Sequence, residues 1–582
     1  MIIDNIKSPD DVKKLSEVQL VELCAEIREG LFNRLTKHGG HFGPNFGIVE
    51  ATVALHYVFD SPRDKFVFDV SHQCYPHKML TGRAYGFFDE NRFGEVSGYL
   101  NPNESEHDFF NIGHTSTSVS LASGLAKARD LAGGKGNIIA VIGDGSLSGG
   151  EALEGLDFAG ELGSNLIIVV NDNEMSIAEN HGGLYKNLEE LRNSNGEAKT
   201  NLFRAFGLDY FYEEEGNDVK KLIQIFKKVK DINHPTVVHI HTKKGCGYKF
   251  AEENKEVWHW TAPFNRQTGE RPSGASGEHY WPMTADFMLK KMQADKTVAM
   301  ICPAVPGNFG FNKEKRLKAG SQFIDVGIAE EHGIAMASAM AKNGSKPVFG
   351  THSSFIQRTF DQLSQDLCIN SNPAVILVNT ASIYGMNDIT HLGIFDIPLM
   401  SNIPNLVYLA PTNCEEYFAM LDWGIEQKKY PVAIRMPCNG VVHTALPVQN
   451  DYSDLNKYMV TQQGSEIAII ALGDFFQLGE KTADLIEKRT KKRPTLINPR
   501  YITGLDEKLL NELTKNHSKI VTIEDGILDG GFGQKIASFY GKTSIKVWNF
   551  GLKKEFLDRY SVNEVLKENH LTPEQIADDI EI

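Results

Sequence analysis

The stretch VIGDGSLSGGEALEGLDFAGELGSNLIIVVNDNEMSI, from Val141 to Ile177, limits the folds open to this chain more than any other. Ile138 to Ile142 is an apolar run stopped by Gly143-Asp144-Gly145, which predicts a buried strand and a tight turn. Leu153, Leu156, Phe158, Ala159 and Leu162 then recur at close to helical spacing. Asn165 to Val170 is a second apolar run, ending at Asn171-Asp172-Asn173. A strand–helix–strand crossover makes the two strands parallel, with both strand ends on the edge where open α/β sheets bind ligands. Asp144 and Asn173 can therefore face one small object. A carboxylate, an amide oxygen and the backbone carbonyl of Met175 suit a hard cation such as Mg2+, which shares its shell with phosphates. Asp, Asn and Gly also favour turns for their own sake, so a plain βαβ unit stays open on this pattern alone.

The rest of the 582 residues repeats the alternation. TVVHIHTKKG continues the first block. A polar stretch rich in Gly and Pro, Asn265 to Pro282, reads as a linker. TVAMICPAV, FIDVGIAEEHG, PVFGTHSSF, AVILVNT, LVYLAPT and PVAIRMP follow as strand candidates between helical patterns. VVHTALPVQNDYSD (441–454) reads as a second linker, and IAIIALGDF, TLINPRYI, KIVTIEDG and IKVWNFG form a last block. The fold predicted is α/β, with three α/β domains of mostly parallel sheet over 1–264, 283–440 and 458–582.

A net charge of −15 argues against a nucleic-acid partner. No apolar run reaches the roughly 18 residues that a membrane span needs. The opening MIIDNIKSPDDVKK has no basic segment followed by an apolar one, so a cytoplasmic location is expected. Seven scattered cysteines without a CxxC pair predict neither a zinc site nor a disulfide framework.

A GDG turn and an Asn pair on one βαβ unit look like the diphosphate–Mg2+ motif of thiamine diphosphate enzymes. Longer strings narrow the resemblance: GGHFGPNFGIVEATVALHYVFDSPRDKFVFDVSHQCYPHKMLTGR (39–83), SEHDFFNIGHTSTSVS (105–120), TKKGCGY (242–248), DVGIAEEHG (325–333), SSFIQRTFDQ (353–362) and THLGIFD (390–396). Together with VTIEDGILDGGFG they resemble the 1-deoxy-D-xylulose-5-phosphate synthase family, which is transketolase-like, over essentially the whole chain.

The resemblance implies roles for particular residues. Asp144, Asn173 and the Met175 carbonyl would hold Mg2+ on the diphosphate of thiamine diphosphate. His72, the Gly113-His114-Thr115 turn, Gly145, Ser146 and Lys243 or Lys244 would lie along that diphosphate. Phe355 would stack on the aminopyrimidine ring, and a protonated Glu330 would hydrogen-bond its ring nitrogen. Glu330 must then be buried, with a raised pKa. His41, His259 and His391 would line the substrate side and shuttle protons. Arg358, His352 and Asn387 would meet the substrate, with Arg358 on the acceptor's phosphate. The donor implied is pyruvate, a 2-keto acid, and the acceptor aldehyde is glyceraldehyde 3-phosphate. In this family the site lies between the first two domains of a homodimer's chain.

Residue by residue, each of these also has a structural use. GHTSTS can be a helix start needing only its Ser and Thr caps, although free backbone amides there also make an anion site. The joint occurrence in family order is what favours function.

Several strings depart from the family. Thr380 stands where an Arg is expected, Asn387 where an Asp is, Cys438 in place of a phosphate-binding Arg, and His352 in place of a Tyr. HFGPN and GLDYFYEEEGND (207–218) are altered, and the segment between Leu184 and Phe206 is shortened. A bidentate Arg–phosphate contact contributes roughly 1.5–3 kcal/mol. Arg435 or a nearby Lys is left to compensate. Two other readings therefore stay open: a related carboligase with a different, unphosphorylated acceptor, and a cofactor-binding paralogue without catalysis.

Overall fold

The computed structural model describes residues 1–272, 277–445 and 447–582. They divide into two compact units, Met1–Ser276 with Gly327–Ala329, and Gly277–Val326 with Glu330–Ile582.

In the first unit, five strands run parallel in the order Lys65–Phe68, Ile138–Gly143, Leu166–Asp172, Pro235–His241 and Asp209–Glu213. Every residue of Leu166–Asp172 is buried. A central parallel strand is covered on both faces, which is why its sequence reads as one apolar run and not as an alternation. The crossover helix Gly150–Glu161 buries Ala152, Leu156 and Ala159 against the sheet. A separate two-stranded ribbon pairs Gly40–His41 with Trp260–Thr261, antiparallel.

The second unit holds two sheets. One has six parallel strands in the order Val407–Leu409, Val432–Arg435, Val375–Asn379, Lys346–His352, Val298–Cys302 and Phe323–Asp325. The other has five, Met459–Gln462, Thr495–Asn498, Glu466–Ala471, His517–Ile527 and Lys546–Leu552, parallel except for the first. One buried cluster draws on both sheets, with Ile376, Val378 and Tyr408 beside Ile470, Ile497 and Phe532.

Both stretches read as linkers carry more order than that. The first falls partly outside the described residues, and its last part, Tyr280 to Pro282, already belongs to the helix Tyr280–Ala294. In the second, Tyr452 is fully buried, and its carbonyl accepts the Tyr501 hydroxyl at 2.8 Å. No helix among the described residues is long and apolar enough to cross a membrane.

Candidate functional site

Gly143 pairs with Asn171 across the parallel strands, so Asp144 and Asn173 leave neighbouring strand ends. The three residues of the NDN turn then divide the work. Asn171 Oδ1 accepts the Thr242 hydroxyl at 2.5 Å. Asp172 Oδ2 takes Arg192 Nη1 at 2.5 Å and His239 Nε2 at 3.0 Å. Of these three side chains, the one with a buried oxygen that has no hydrogen-bond partner among the described residues is Asn173, at Oδ1.

Asp144 is 1% exposed and accepts Asn180 Nδ2 at 2.6 Å. Burial, and next the Asp172 charge, push its carboxyl up to about 7. Asn180 Oδ1 is likewise unpartnered. A buried carboxylate raised by desolvation, beside two unfilled amide oxygens, is a donor set that fits a hard divalent cation. Met175 lies in the same turn, bridged to Glu179.

The shortened segment also has a visible role here. It forms the helix Gly183–Asn193, whose Arg192 holds Asp172. Of the two lysines, Lys243 is the wrong one for a buried site: its side chain is 55% exposed and pairs with Glu252 at 2.5 Å. Lys244 is buried, donates to the Ser176 carbonyl at 2.5 Å, and is pushed down to about 7 by burial, with Asp144 opposing.

The Gly113-His114-Thr115 turn leads into the helix Ser118–Leu131. Two amides of the helix start are already taken by a carboxylate. Asp69 Oδ1 accepts the Ser116 N–H at 2.8 Å and Oδ2 the Ser118 N–H at 2.9 Å. That carboxylate fixes the turn in place. Ser116 Oγ donates to the Ser146 carbonyl at 2.8 Å, which ties this turn to the Gly145-Ser146 turn. Gly149 is required there, because a Cβ would come within 2.1 Å of Ser116 Oγ.

His41, His72 and His259 gather, with ring centroids 5.0, 5.3 and 5.6 Å apart. The ribbon sets His41 opposite Trp260, and Asn45 Nδ2 donates to the carbonyls of His41 and His72, each at 2.8 Å. Asn45 belongs to the altered string HFGPN, and nothing in its spacing announced this clamp. Burial, then Lys244, holds His259 well below its ordinary value, so that ring is neutral.

In the second unit, Glu330 opens the helix Glu330–Lys342 and is 3% exposed. Its Oε2 has no hydrogen-bond partner among the described residues and lies 3.9 Å from Arg358 Nη1. Burial pushes the carboxyl up to about 7, against Arg358. A buried acid with one oxygen outside any hydrogen bond, holding its proton near neutrality, fits an aminopyrimidine nitrogen. Phe355 stands edge-on to His352 at 5.0 Å and His391 at 5.5 Å, an aromatic corner that fits a ring.

The altered positions behave differently from one another. His352 Nδ1 lies 2.5 Å from Thr380 Oγ1, and its Nε2 meets the Asn308 amide. Asn387 is not gathered with the others: it is exposed, and its Nδ2 reaches the Tyr560 carbonyl at 3.4 Å. Its neighbour Asp388 turns to His391 instead, Oδ1 to Nδ1 at 3.1 Å. The Cys438 thiol is pushed up to about 12 by burial, and its backbone N–H donates to Asp474 at 2.8 Å. Arg435 does not compensate for a lost phosphate contact. It is 4% exposed and held by Asp396 at 2.8 Å and Asp525 at 2.5 Å.

Elsewhere, Cys414, Glu415 and His443 bring three donor atoms within 4.8 Å of one another. That grouping is closed as it stands, because both nitrogens of His443 are taken, by Glu415 and Glu278, each at 2.6 Å.

A family model described as 1-deoxy-D-xylulose-5-phosphate synthase matches residues 3–201 and 195–242. Models of the transketolase pyrimidine-binding and C-terminal domains match 280–441 and 456–576. The 1-deoxy-D-xylulose-5-phosphate synthases of Shouchella clausii (strain KSM-K16) and Clostridium beijerinckii are each 36% identical to the chain, over 99% of it and 98% of their own length. A solved transketolase from Leishmania mexicana is 14% identical, covers 97% of both chains and has a TM-score of 0.44.

Proposed function

The chain belongs to the 1-deoxy-D-xylulose-5-phosphate synthase family, and from that premise we propose that it decarboxylates pyruvate and joins the two-carbon unit to glyceraldehyde 3-phosphate, giving 1-deoxy-D-xylulose 5-phosphate. The observation that carries this reading is Glu330, a buried acid held at about 7 with an unpartnered oxygen at the head of its helix.

Thiamine diphosphate, when bound, supplies the electron sink that makes loss of CO2 from a 2-keto acid feasible. The chain's residues do the rest. Glu330 holds a proton for the aminopyrimidine nitrogen, and Phe355 offers that ring an apolar face. Asp144, Asn173 and the Met175 carbonyl would hold Mg2+, with Asn180 a further oxygen at the same turn. Lys244 replaces Lys243 as the cation on the diphosphate, beside Gly145, Ser146 and the Gly113-His114-Thr115 turn. His41 and His259 move protons on the donor side, and His259 is kept from charging by burial. Arg358 is the cation offered to the acceptor's phosphate, with His352 beside it. We assign the enzyme to the cytoplasm and to a homodimer on the family's pattern.

The test is CO2 release from pyruvate with thiamine diphosphate and Mg2+, with and without glyceraldehyde 3-phosphate, and the product mass at the end. A deoxyxylulose phosphate mass is expected. CO2 without that mass would favour a different acceptor, as Thr380 and Cys438 suggest. No CO2 from protein that binds the cofactor would end the catalytic reading. Glu330→Ala should lower kcat by about 10²- to 10⁴-fold, the range for a positioned acid–base group. Normal turnover in that variant would remove Glu330 from the mechanism.

A further inference from the structure

The NDNEM turn carries two of the three groups offered to Mg2+, Asn173 Oδ1 and the Met175 carbonyl, and the residue between them is Glu174. Glu174 has a φ of 65°, the left-handed region that a residue with a Cβ adopts only at a cost. Such a turn keeps its shape where its surroundings fix it. Three contacts hold this one. Asp172 Oδ1 accepts the Glu174 N–H at 3.1 Å, and Lys255 Nζ donates to the Asn173 carbonyl at 3.2 Å. Glu174 Oε1 lies 3.1 Å from Nε2 of His241, the residue paired with Asp172 on the next strand.

A fourth support comes from the shortened segment. Arg192 spans two acids of the turn: its Nη1 lies 2.5 Å from Asp172 Oδ2 and its Nη2 3.6 Å from Glu174 Oε2. One guanidinium thus joins the carboxylate that accepts the Glu174 N–H to the side chain of Glu174 itself. The helix Gly183–Asn193 sets the arginine there. Its Leu188 and Leu191 are buried in the core of the first unit, and Arg192 follows Leu188 by four residues, on the same helix face. Arg192 also lies in the last turn, where the helix dipole favours a cation. Its side chain is 13% exposed and that of Asp172 is 0%, so salt screens the pair little.

We propose that Arg192 is a positioning residue for the divalent cation: by holding Asp172 and Glu174 together it fixes the left-handed turn, and so keeps Asn173 Oδ1 and the Met175 carbonyl at the same strand edge as Asp144. The proposal rests on the synthase reading for the identity of the cation, and on the geometry of this turn for how its ligands are held.

Calorimetric titration of Mg2+ into metal-free protein holding saturating thiamine diphosphate, against a blank of the cofactor alone, tests it. Arg192→Ala should raise the Kd for Mg2+ by about 10- to 100-fold, the range for a residue that orients a metal ligand. A merely structural ion pair would lower the thermal midpoint of the ligand-free protein and leave that Kd within about twofold wherever the protein is folded. Glu174, whose side chain is 48% exposed, supplies two milder variants. Glu174→Ala removes the side-chain contacts and keeps the backbone cost. Glu174→Gly adopts the positive φ freely, and because the cation selects the left-handed turn it should bind Mg2+ about threefold more tightly than Glu174→Ala. A Kd within about twofold of the parent's in folded Arg192→Ala would overturn the proposal, and so would equal affinities in Glu174→Ala and Glu174→Gly. Should Arg192→Ala fail to fold, the Glu174 pair decides. A parent with no Mg2+ isotherm removes the cation from this turn, and with it the metal part of the synthase reading and the proposal together. A normal parent isotherm beside an unmoved Arg192→Ala removes the proposal alone.

Discussion

Glu330 gives the residue scale its sharpest consequence. Its carboxyl moves from an ordinary 4.5 to about 7 on folding, mainly by burial. The native protein therefore binds more protons than the unfolded chain between those values, and stability falls as pH rises through that window. The cost at pH 8 is about 3 kcal/mol. Cofactor-free Glu330→Gln should thus be more stable than the parent by about that much at pH 8, with the gain gone below pH 4.5. Urea unfolding at both pH values checks this, and an equal gain at both would mean that the acid is not buried charged. The family strings lead to a Glu330 that is buried and holds its proton near neutrality, and the side chain is 3% exposed with its carboxyl at about 7. They do not decide between the neighbours Lys243, whose side chain is 55% exposed, and the buried Lys244. One residue's shift turns a side chain to the other face, and spacing does not carry that sign. Nor could they distinguish the three residues of the NDN turn, where partners distant in sequence, Thr242, Arg192 and His239, decide which oxygen stays free.

At the scale of elements, the strands named from the sequence were long apolar runs, most of them inside their sheets. Lys65–Phe68, Asp209–Glu213 and Met459–Gln462 were not named, and each lies at a sheet edge. Asp209–Glu213 and Met459–Gln462 are only partly buried, and an edge strand covered that way easily passes for loop. Helix starts were hidden in another way. At the GHTSTS turn, Asp69 takes two of the helix-start amides, those of Ser116 and Ser118, and spacing alone does not show this. Each such charge-assisted bond contributes about 1.5–3 kcal/mol, offset in part by the cost of burying the carboxylate. Asp69→Ala should therefore lower stability by about 2 kcal/mol, and Asp69→Asn, which keeps one acceptor, by about half of that. Denaturant midpoints at constant slope would measure it. A neutral Asp69→Ala would mean that the Ser116 and Ser118 amides find other partners.

At the scale of the whole molecule, the sequence pattern separated the second and third α/β blocks, while the structure gives 277–326 with 330–582 a shared core. Arg435 shows why the difference matters. Its guanidinium joins Asp396, at the head of the helix Asp396–Met400, to Asp525, in the strand His517–Ile527 of the other sheet. Both carboxylates are buried, and Asp525 Oδ2 has no other partner among the described residues. Removing the cation leaves two buried acids uncompensated, which costs about 3–5 kcal/mol. Arg435→Ala should therefore lower the thermal midpoint of residues 277–582, expressed alone, while leaving a single transition, because one core serves both sheets. In the full enzyme its KM for glyceraldehyde 3-phosphate should stay within about threefold of the parent's wherever the protein is still folded. A phosphate-binding arginine would give the opposite pair of results: an unchanged midpoint, and a KM raised by an order of magnitude or more for a lost contact of about 1.5–3 kcal/mol. Calorimetry and steady-state kinetics on that one variant thus decide whether Arg435 recognises substrate or joins two sheets, and the two carboxylates already on it favour the second.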